Sequence, residues 1–343
     1  MLSAFGKAFK TPDLRKKIFF TLAIMALFRF GSVVPTPGVS YKNVQECLTQ
    51  VQSGGLFGLI NLFSGGALLH LSVFALGIMP YITSSIIVQL LTVVIPRFEA
   101  LKNEGQSGTA KLTQYTRYLT VGLAILQSTG LVAVARTTGR LISGCTLPII
   151  PDSSWSRIAT MVLVMTAGTS VIMWLGELIT DRGVGNGMSI LIFTSIAARF
   201  PTQLWSIKMQ KGLFAFLFVT GVGILTIAAV VFVEQAQRRI PVQYAKRQVG
   251  RQVYGGTSTY IPIKVNQSGV IPVIFASSLL YIPTLIVNFS GSTSKWAVWI
   301  QQNLVKGDHP IYILSYALLI IFFTYFYVAI TFNPDEVADN MKK

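Results

Sequence analysis

The sequence contains 343 residues, of which 52% are hydrophobic and 12% charged, and its formal net charge is +16. A soluble domain carries about twice this share of charged residues, so the composition excludes an ordinary soluble globular protein. The basic residues lie mainly between long apolar blocks, which favours a membrane topology signal over a nucleic-acid-binding surface. The two histidines, His70 and His309, are far apart, and no Cys/His spacing predicts a metal site.

Eight apolar blocks predict transmembrane helices, since about 20 apolar residues are needed to cross a hydrocarbon core of about 30 Å. The first block lacks a small-residue cleavage site and is interpreted as a retained span rather than a signal peptide. A further apolar stretch at 56–63 is too short to span the bilayer. The eight predicted spans are residues 18–34, 71–95, 117–135, 158–176, 187–200, 213–233, 270–287 and 311–332.

Lysine and arginine predict the orientation of these spans. The side of the membrane that holds the N-terminus carries roughly twice as many of them as the opposite side, and Arg29 lies inside the first span. Basic residues accumulate in cytoplasmic loops. The sequence therefore predicts a multi-pass protein of the bacterial cytoplasmic membrane with a cytoplasmic N-terminus.

An internal repeat relates the second and the seventh span. A shift of 192 positions places segment 77–85 on segment 269–277, and the same shift places span one on span six and span three on span eight. The identical positions are Gly77, Pro80, Ile82 and Ser85 in the first copy, and Gly269, Pro272, Ile274 and Ser277 in the second.

The repeat unit has five spans, and an odd number of spans inverts the second copy relative to the first. Inverted repeats are a recurring plan of proteins that move cargo across membranes, and matching Gly/Pro interruptions point to the pathway. Copies of spans four and five would lie beyond Lys343, so the sequence is expected to lack two spans of the full arrangement.

The predicted spans contain almost no charged groups apart from Arg29, which argues against an ion or solute carrier. An apolar constriction that excludes water and ions is one interpretation of their midpoints, and ordinary packing or lipid contact is the other. The midpoint residues are Ile78, Ile82, Met188, Ile192 and Ile274.

From residue 11 onwards the chain closely resembles the SecY family, the central subunits of the bacterial protein-conducting channel, with wording most similar to actinobacterial members. The stretches that carry the resemblance are NLFSGGAL at 61–68, ALGIMPYI at 75–82, QYTRY at 114–118, WLGE at 174–177, DRGVGNG at 181–187, YAKRQ at 244–248, KVN at 264–266 and GVIP at 269–272.

The resemblance implies an all-α polytopic membrane protein, a SecY-type inverted-repeat bundle of ten spans, eight of them present here with a plug half-helix. Residues 1–212 would form the N-terminal half with spans one to five, and residues 213–343 an incomplete C-terminal half. The five midpoint residues would belong to a pore ring at the waist. The family usually has isoleucine where Met188 stands, and a sixth ring position would lie in the absent tenth span.

The resemblance also implies a plug at about 56–70 and a lateral gate between spans two and three and spans seven and eight. A re-entrant interfacial segment is the alternative for the plug, and hydrogen bonding between helices is compatible with the gate. The implied plug residues are Leu59, Ile60, Asn61, Leu62, Phe63, Ser64, Gly65 and Gly66; the gate residues are Thr83, Ser85, Gln89, Asn186, Ser277 and Ser278.

The basic loop at 234–264 would dock the ribosome, through its RNA, or the SecA motor, although it also serves as a topology signal that attracts anionic lipid. The implied docking residues are Arg239, Lys246, Arg247 and Arg251. Further implied partners are the SecE and SecG subunits, SecDF, YidC, signal peptides, nascent chains and membrane lipids. The resemblance implies no enzymatic activity and no cofactor.

A secondary transporter is the principal alternative, because it shares the inverted repeat, but Arg29, Gln89 and Asn186 provide few polar groups for a solute site. An intramembrane protease is excluded by the lack of a Ser–His pair or of two aspartates within spans. A scaffold without a working pore is a third reading. Cys47 and Cys145 are both predicted on the outer, oxidising side. A disulfide between them is one interpretation, but unpaired cysteines are the expectation, since nothing in the sequence fixes their distance.

Overall fold

The computed structural model describes residues 11–50, 64–136, 147–152, 154–242, 247–249, 252–254, 259–290, 295–305 and 309–331. The helices are α1 Pro12–Val33, α2 Tyr41–Gln50, α3 Met79–Val94, α4 Pro96–Asn103, α5 Gln106–Arg136, α6 Trp155–Arg182, α7 Gly187–Gln235, α8 Ile271–Ser290, α9 Lys295–Ile300 and α10 Pro310–Thr331. The strands are β1 Gln237–Val242, β2 Arg247–Val249, β3 Gln252–Tyr254 and β4 Thr259–Lys264, and a short π-helix covers Gln301–Val305.

Each of the eight predicted spans overlaps one of these helices, which confirms the predicted helical membrane fold. Within the described ranges, four helices are long and apolar enough to cross a bilayer: Gln106–Arg136, Trp155–Arg182, Gly187–Gln235 and Pro310–Ala329. The bent pair Met79–Thr92 and Pro96–Asn103, with 98° between its members, adds a fifth if it counts as one span. The number of eight spans stays a prediction.

The boundaries of two predicted spans were wrong. Span two was expected from residue 71, but residues 71–78 form turns and α3 begins at Met79, after the left-handed Gly77. Spans five and six were expected to be separate, and the non-helical backbone of Gly212, with φ 85° and ψ 178°, divides α7 into two helices just before the predicted start of span six; only the end of span five was wrong, because its helix continues beyond residue 200 to Gly212. Pro201 also lies inside α7 without ending it.

The predicted repeat is visible in the backbone. Gly77 has φ 57° and Gly269 has φ 58°, a left-handed conformation that glycine adopts without steric penalty. The helices that follow, α3 and α8, begin 192 residues apart, and each has proline as its second residue, where a missing N–H costs nothing. The Ile82 amide donates to the Ile78 carbonyl as the Ile274 amide donates to the Val270 carbonyl, so the hydrogen bonding of the first turn repeats as well.

Residue contacts divide the chain into two compact units. Unit 1 comprises Met1–Thr202 and Ser277–Ala317, and unit 2 comprises Gln203–Ala276 and Leu318–Lys343. The predicted halves, 1–212 and 213–343, rest on the repeat rather than on contacts and remain a prediction.

The core of unit 1 lies where α1, the 64–78 segment, α6 and the start of α7 meet. Its buried members are Ile24, Phe28, Phe74, Ile78, Ile172, Leu175, Ile179 and Leu191. The rings of Phe28 and Phe74 stack with their centroids 5.9 Å apart, which joins α1 to the segment that leads into α3. This packing fixes the start of α3 relative to α6 and α7.

Unit 2 contains the second part of α7, whose large apolar side chains are mostly exposed; Phe214 is 85% and Phe232 77% exposed. Such a continuous apolar surface is unfavourable in water and suits contact with lipid. The Phe275 and Phe323 rings stack at 4.9 Å, so the first turns of α8 pack against α10.

The basic loop between α7 and α8 contains strands, which the charge pattern did not predict. β1 pairs antiparallel with β4 from Gln237 opposite Lys264 to Val242 opposite Thr259, and β2 pairs with β3. At the base, the Val265 amide donates to the Ala236 carbonyl at 3.1 Å, which continues the pairing to the end of α7. The loop is therefore a hairpin, not an open coil.

Candidate functional site

Four of the five predicted midpoint residues lie together in unit 1. Ile78 belongs to the buried core and is 2% exposed, whereas Ile82, Met188 and Ile192 are half-buried and pack against that core. Ile78 and Ile82 are one turn apart at the start of α3, and Met188 and Ile192 are one turn apart at the start of α7. The two helix starts therefore present a contiguous apolar surface.

Close helix contact holds Met188 in this cluster. Its Sδ atom lies where a β-carbon on Gly176 of α6 would be, and the Gly187 backbone packs against the Gly176 carbonyl. A larger residue at position 176 would displace the Met188 thioether, whereas a side chain at position 187 would meet the Gly176 backbone directly. Asn186 caps α7, because its Oδ1 accepts from the amides of Met188 at 3.1 Å and Ser189 at 3.3 Å.

The fifth midpoint residue, Ile274, belongs to unit 2. It lies in the first turns of α8 and is 8% exposed. Its repeat-related position is Ile82, so the two isoleucines follow a left-handed glycine and a proline at the same distances. A closed ring of all five side chains stays a prediction.

The predicted gate residues of α3 and α8 differ in their surroundings. Thr83 donates to the Met79 carbonyl of its own helix at 2.9 Å, and Gln89 is exposed. Ser277 is buried, and the buried Ser278 hydroxyl has no hydrogen-bond partner among the described residues. A buried hydroxyl without a hydrogen-bond partner carries a desolvation cost. The role of these residues in a gate stays a prediction.

The C-terminal end of the predicted plug is buried and held in place, while Leu59–Phe63 lie outside the described residues. Arg29 of α1 donates from Nη1 to the Gly65 carbonyl at 2.7 Å, and the Leu68 amide donates to the Ser64 hydroxyl at 3.1 Å. Gly66 has φ 96°, and the Arg199 guanidinium occupies the place of its missing side chain. Two arginines from α1 and α7 thus contact consecutive glycines.

The predicted docking residues fall on the β-hairpin. Arg239 of β1 is exposed, and its guanidinium lies 4.7 Å from the centre of the Tyr260 ring across the ladder. Arg247 begins β2, and Lys246 and Arg251 lie outside the described residues. Near the base, Asn266 donates to the Glu234 carboxylate at 3.3 Å, so the acidic residue of the loop is engaged at its foot.

The sequence analysis missed an ion pair between α5 and α6. Arg117 donates from Nε to Glu177 Oε1 at 3.0 Å and from Nη2 to Oε2 at 2.8 Å, and its Nη1 donates to Gln114 at 3.1 Å. A bidentate pair of this kind is both strong and geometrically specific. Opposite charges at the ends of predicted spans three and four, on the same predicted side of the membrane, were the available signal.

The expectation of unpaired cysteines was wrong for Cys47, which is buried and disulfide-bonded. The sequence contains one other cysteine, Cys145, which lies outside the described residues. Two hydrogen bonds bring the chain near Cys47 close to the segment after residue 146, which the sequence did not reveal. Asn43 donates to the Pro148 carbonyl at 2.8 Å, and the Ser40 amide donates to the Ile149 carbonyl at 3.0 Å. They hold α2 against the segment that follows residue 146.

Solved structures with the same fold define the class of protein. A structure described as that of a protein-conducting channel matches 90% of this chain and 70% of its own, with a TM-score of 0.60 and 15% identity. The channel in the canine ribosome–channel complex from the endoplasmic reticulum matches 94% of this chain and 75% of its own, also with a TM-score of 0.60 and 15% identity. At this level of identity the two matches show a shared helical fold.

Sequence comparison gives the family. The SecY family model matches residues 72–343. The protein translocase subunit SecY of Streptomyces galbus is 67% identical over all of this chain and 80% of its own length, and that of Mycobacterium tuberculosis is 59% identical with the same coverage. The chain belongs to the SecY family, which confirms the predicted resemblance.

Proposed function

We propose that this chain is the central subunit of a channel that translocates unfolded secretory polypeptides across the bacterial cytoplasmic membrane and releases membrane-protein segments sideways into lipid. The observation that carries the proposal is the shared apolar surface at the starts of α3 and α7, formed by Ile82, Met188 and Ile192 around Ile78. The Gly/Pro-interrupted start of α8 presents Ile274 at the repeat-related position.

The apolar residues act as a seal. A constriction without polar groups holds no continuous water file, so ions do not pass when the channel is at rest. A polypeptide that enters fills the constriction in place of water. The apolar side chains around it bind no particular group, so they can adapt to each residue that passes. The thioether of Met188 is unbranched and flexible, which suits a variable cargo.

Lateral release follows from partition between the channel and the lipid. Each leucine-like residue of a passing segment favours the bilayer by roughly 0.3–0.6 kcal/mol, while a charge at its centre costs about 2.5–3.5 kcal/mol. A gate at α3, α5, α8 and α10 has to open at a low cost in free energy. Two of its polar residues are consistent with this: Thr83 bonds within its own helix, and the Ser278 hydroxyl has no partner among the described residues.

The plug segment opens by leaving its anchor. A signal sequence that wedges spans two and seven apart displaces the plug, which then loses the hydrogen bond from Arg29 to the Gly65 carbonyl. That single hydrogen bond from a charged donor is worth about 1.5–3 kcal/mol, a cost that signal-sequence insertion can offset.

The β-hairpin docks the partners that supply energy. This chain makes and breaks no covalent bond, so the work comes from the ribosome, the SecA motor or the membrane potential. The SecE and SecG subunits complete the channel, with SecDF and YidC as further partners, and the N-terminus lies in the cytoplasm. Exposed Arg238 and Arg239 on β1 place positive charge on the docking surface.

Charge reversal on the hairpin is expected to weaken docking. Arg247→Glu with Arg251→Glu should lower the affinity for ribosomes or SecA most strongly at low ionic strength, because exposed charges are screened over about 8 Å at physiological salt. Binding is measured by co-sedimentation with vesicles across a salt series, with Lys208→Glu, far from the hairpin in sequence, as the control. Binding that the double substitution leaves unchanged at every salt concentration would assign the loop to lipid instead.

Reconstitution tests the function itself. Vesicles that contain the complete complex of this chain should protect a secretory precursor from added protease in the presence of SecA and ATP, and vesicles without the chain should not. The secondary-transporter alternative predicts instead the uptake of a radiolabelled solute without any precursor. Solute uptake together with an unprotected precursor would refute the proposal.

A further inference from the structure

A basic pocket lies at the C-terminal end of α1 within unit 1. It has a volume of about 230 Å³, and its basic lining residues are Arg29, His70 and Arg199. Arg29 and Arg199 lie within electrostatic range of each other and of His70. Like charges in such proximity repel each other unless an anion lies between them.

No carboxylate neutralises this pocket in the part of the chain that the structure describes. The lining contains no aspartate or glutamate, and the three described ion pairs, Lys111–Glu104, Arg117–Glu177 and Arg157–Asp152, lie elsewhere. Arg29 spends one donor on the Gly65 carbonyl, which leaves the rest of its guanidinium available. The Arg199 side chain donates no hydrogen bond to a described residue. Ser32 and Thr202 add hydroxyl groups to the lining.

An apolar pocket adjoins the basic one. It has a volume of about 520 Å³ and is lined by Phe30, Val33, Val34, Pro35 and Tyr41, and Val33 and Tyr41 line both pockets. Phe30 is 73% and Val33 53% exposed, so this surface is open at the end of a membrane helix. A charged pocket that continues into an open apolar one fits an amphiphile rather than a free ion.

We propose that these two joined pockets bind one anionic phospholipid, with its phosphodiester between Arg29 and Arg199 and the beginning of an acyl chain along Phe30 and Val33. Guanidinium groups bind phosphate oxygens through paired N–H donors. The lining offers no carboxylate to an ammonium group, so a net anionic headgroup such as phosphatidylglycerol is preferred over zwitterionic phosphatidylcholine. This site is separate from the cytoplasmic hairpin and does not depend on the proposed seal.

Photolabelling tests the site. The full chain is placed in nanodiscs of phosphatidylcholine with a small fraction of phosphatidylglycerol that carries a diazirine on its acyl chain, and labelled peptides are mapped by mass spectrometry. Labelling is expected within 30–41, and excess unlabelled phosphatidylglycerol should suppress it. Arg29→Gln and Arg199→Gln should each reduce labelling about fivefold, which corresponds to about 1 kcal/mol per basic residue. The exposed Arg97→Gln is the control and should label like the original chain.

A second variant leaves both charges in place. Gly66→Ala puts a methyl group where the Arg199 guanidinium lies and should reduce labelling by displacing it. Gly105→Ala is the matched control, because Gly105 also has a positive φ, 76°, but open space around it. Thermal melting of each variant confirms that it is folded.

Three outcomes would overturn the proposal. Labelling that survives both arginine substitutions in folded protein would show that the pocket does not hold the headgroup. Equal suppression by phosphatidylcholine would show that it does not distinguish an anionic lipid. Suppression by inorganic phosphate at millimolar concentration would assign the pocket to a free anion.

Discussion

Replacing Ile82 and Ile274 by serine is expected to make the resting channel leak small ions. Each substitution exchanges an apolar side chain at the predicted constriction for a hydroxyl that binds water, so a water file becomes easier to form. Ile82 is half-buried beside Met188 and Ile192, and Ile274 is its counterpart in the second repeat. An increase in leak of at least about tenfold requires a barrier only about 1.4 kcal/mol lower.

Single-channel recording in planar bilayers measures this leak for the complete channel. Leu163→Ser on α6 and Ile227→Ser on α7 are matched controls, because both residues are more than half exposed and lie outside the cluster. The control variant should remain as tight as the original. If the Ile82/Ile274 variant and the Leu163/Ile227 control gave the same current, whether both leak or neither does, a seal at these positions would be contradicted.

Among the three described ion pairs, the loss of Arg117–Glu177 is expected to lower the free energy of unfolding most. Arg117→Met leaves the Glu177 carboxylate, whose side chain is 21% exposed, without its bidentate partner. A fully buried carboxylate left unpaired costs about 3–5 kcal/mol, but Arg117 is 42% exposed and water screens the pair, so we expect about 1–3 kcal/mol. At an unfolding entropy of about 2.1 cal/mol/K per residue, the melting temperature of a protein of this size should fall by about 1–4 °C.

Thermal unfolding of the purified protein in detergent measures the effect. Lys111→Met on the same helix is the control, because the Lys111–Glu104 pair is 3.4 Å long with both side chains about half exposed, and its loss should be within about 0.5 kcal/mol. Arg117→Met combined with Glu177→Gln should recover part of the loss, since no unpaired charge remains. A melting temperature that responds equally to the loss of Lys111 and of Arg117 would contradict the assigned role.

The sequence predicted the start of α8 to within one residue, because the apolar block from residue 270 begins almost where the helix does, at Ile271. At α3 the apolar block begins eight residues too early, at residue 71, since composition alone does not show that the chain turns before the left-handed Gly77. The shared Gly/Pro spacing did predict that the two helix starts are alike, with φ 57° at Gly77 and 58° at Gly269. Span five was predicted to end at residue 200, but the helix continues past Pro201 to the break at Gly212. Proline removes one hydrogen bond from a helix interior, which need not end the helix.

Features that join distant parts of the chain could not be predicted from sequence. Arg117 and Glu177 are 60 residues apart, and each alone resembles an ordinary charge at a helix end. The β1–β4 ladder was hidden because Pro241 and Pro262 interrupt the strand pattern, which a two-stranded ribbon tolerates at its edges. The bond at Cys47 likewise depends on how α2 meets the segment after residue 146. These pairings are properties of the folded chain, not of any short window.

The β-hairpin has a mechanical consequence. β1 starts two residues after α7 ends, and β4 ends seven residues before α8 begins. The paired strands are therefore connected to the ends of both helices through short segments. A partner bound to these strands, as proposed above, would therefore transmit force to the ends of α7 and α8 instead of only being held at the membrane. A flexible glycine-rich segment inserted beside Val242 would keep the partner bound but would no longer transmit its force to α7 and α8.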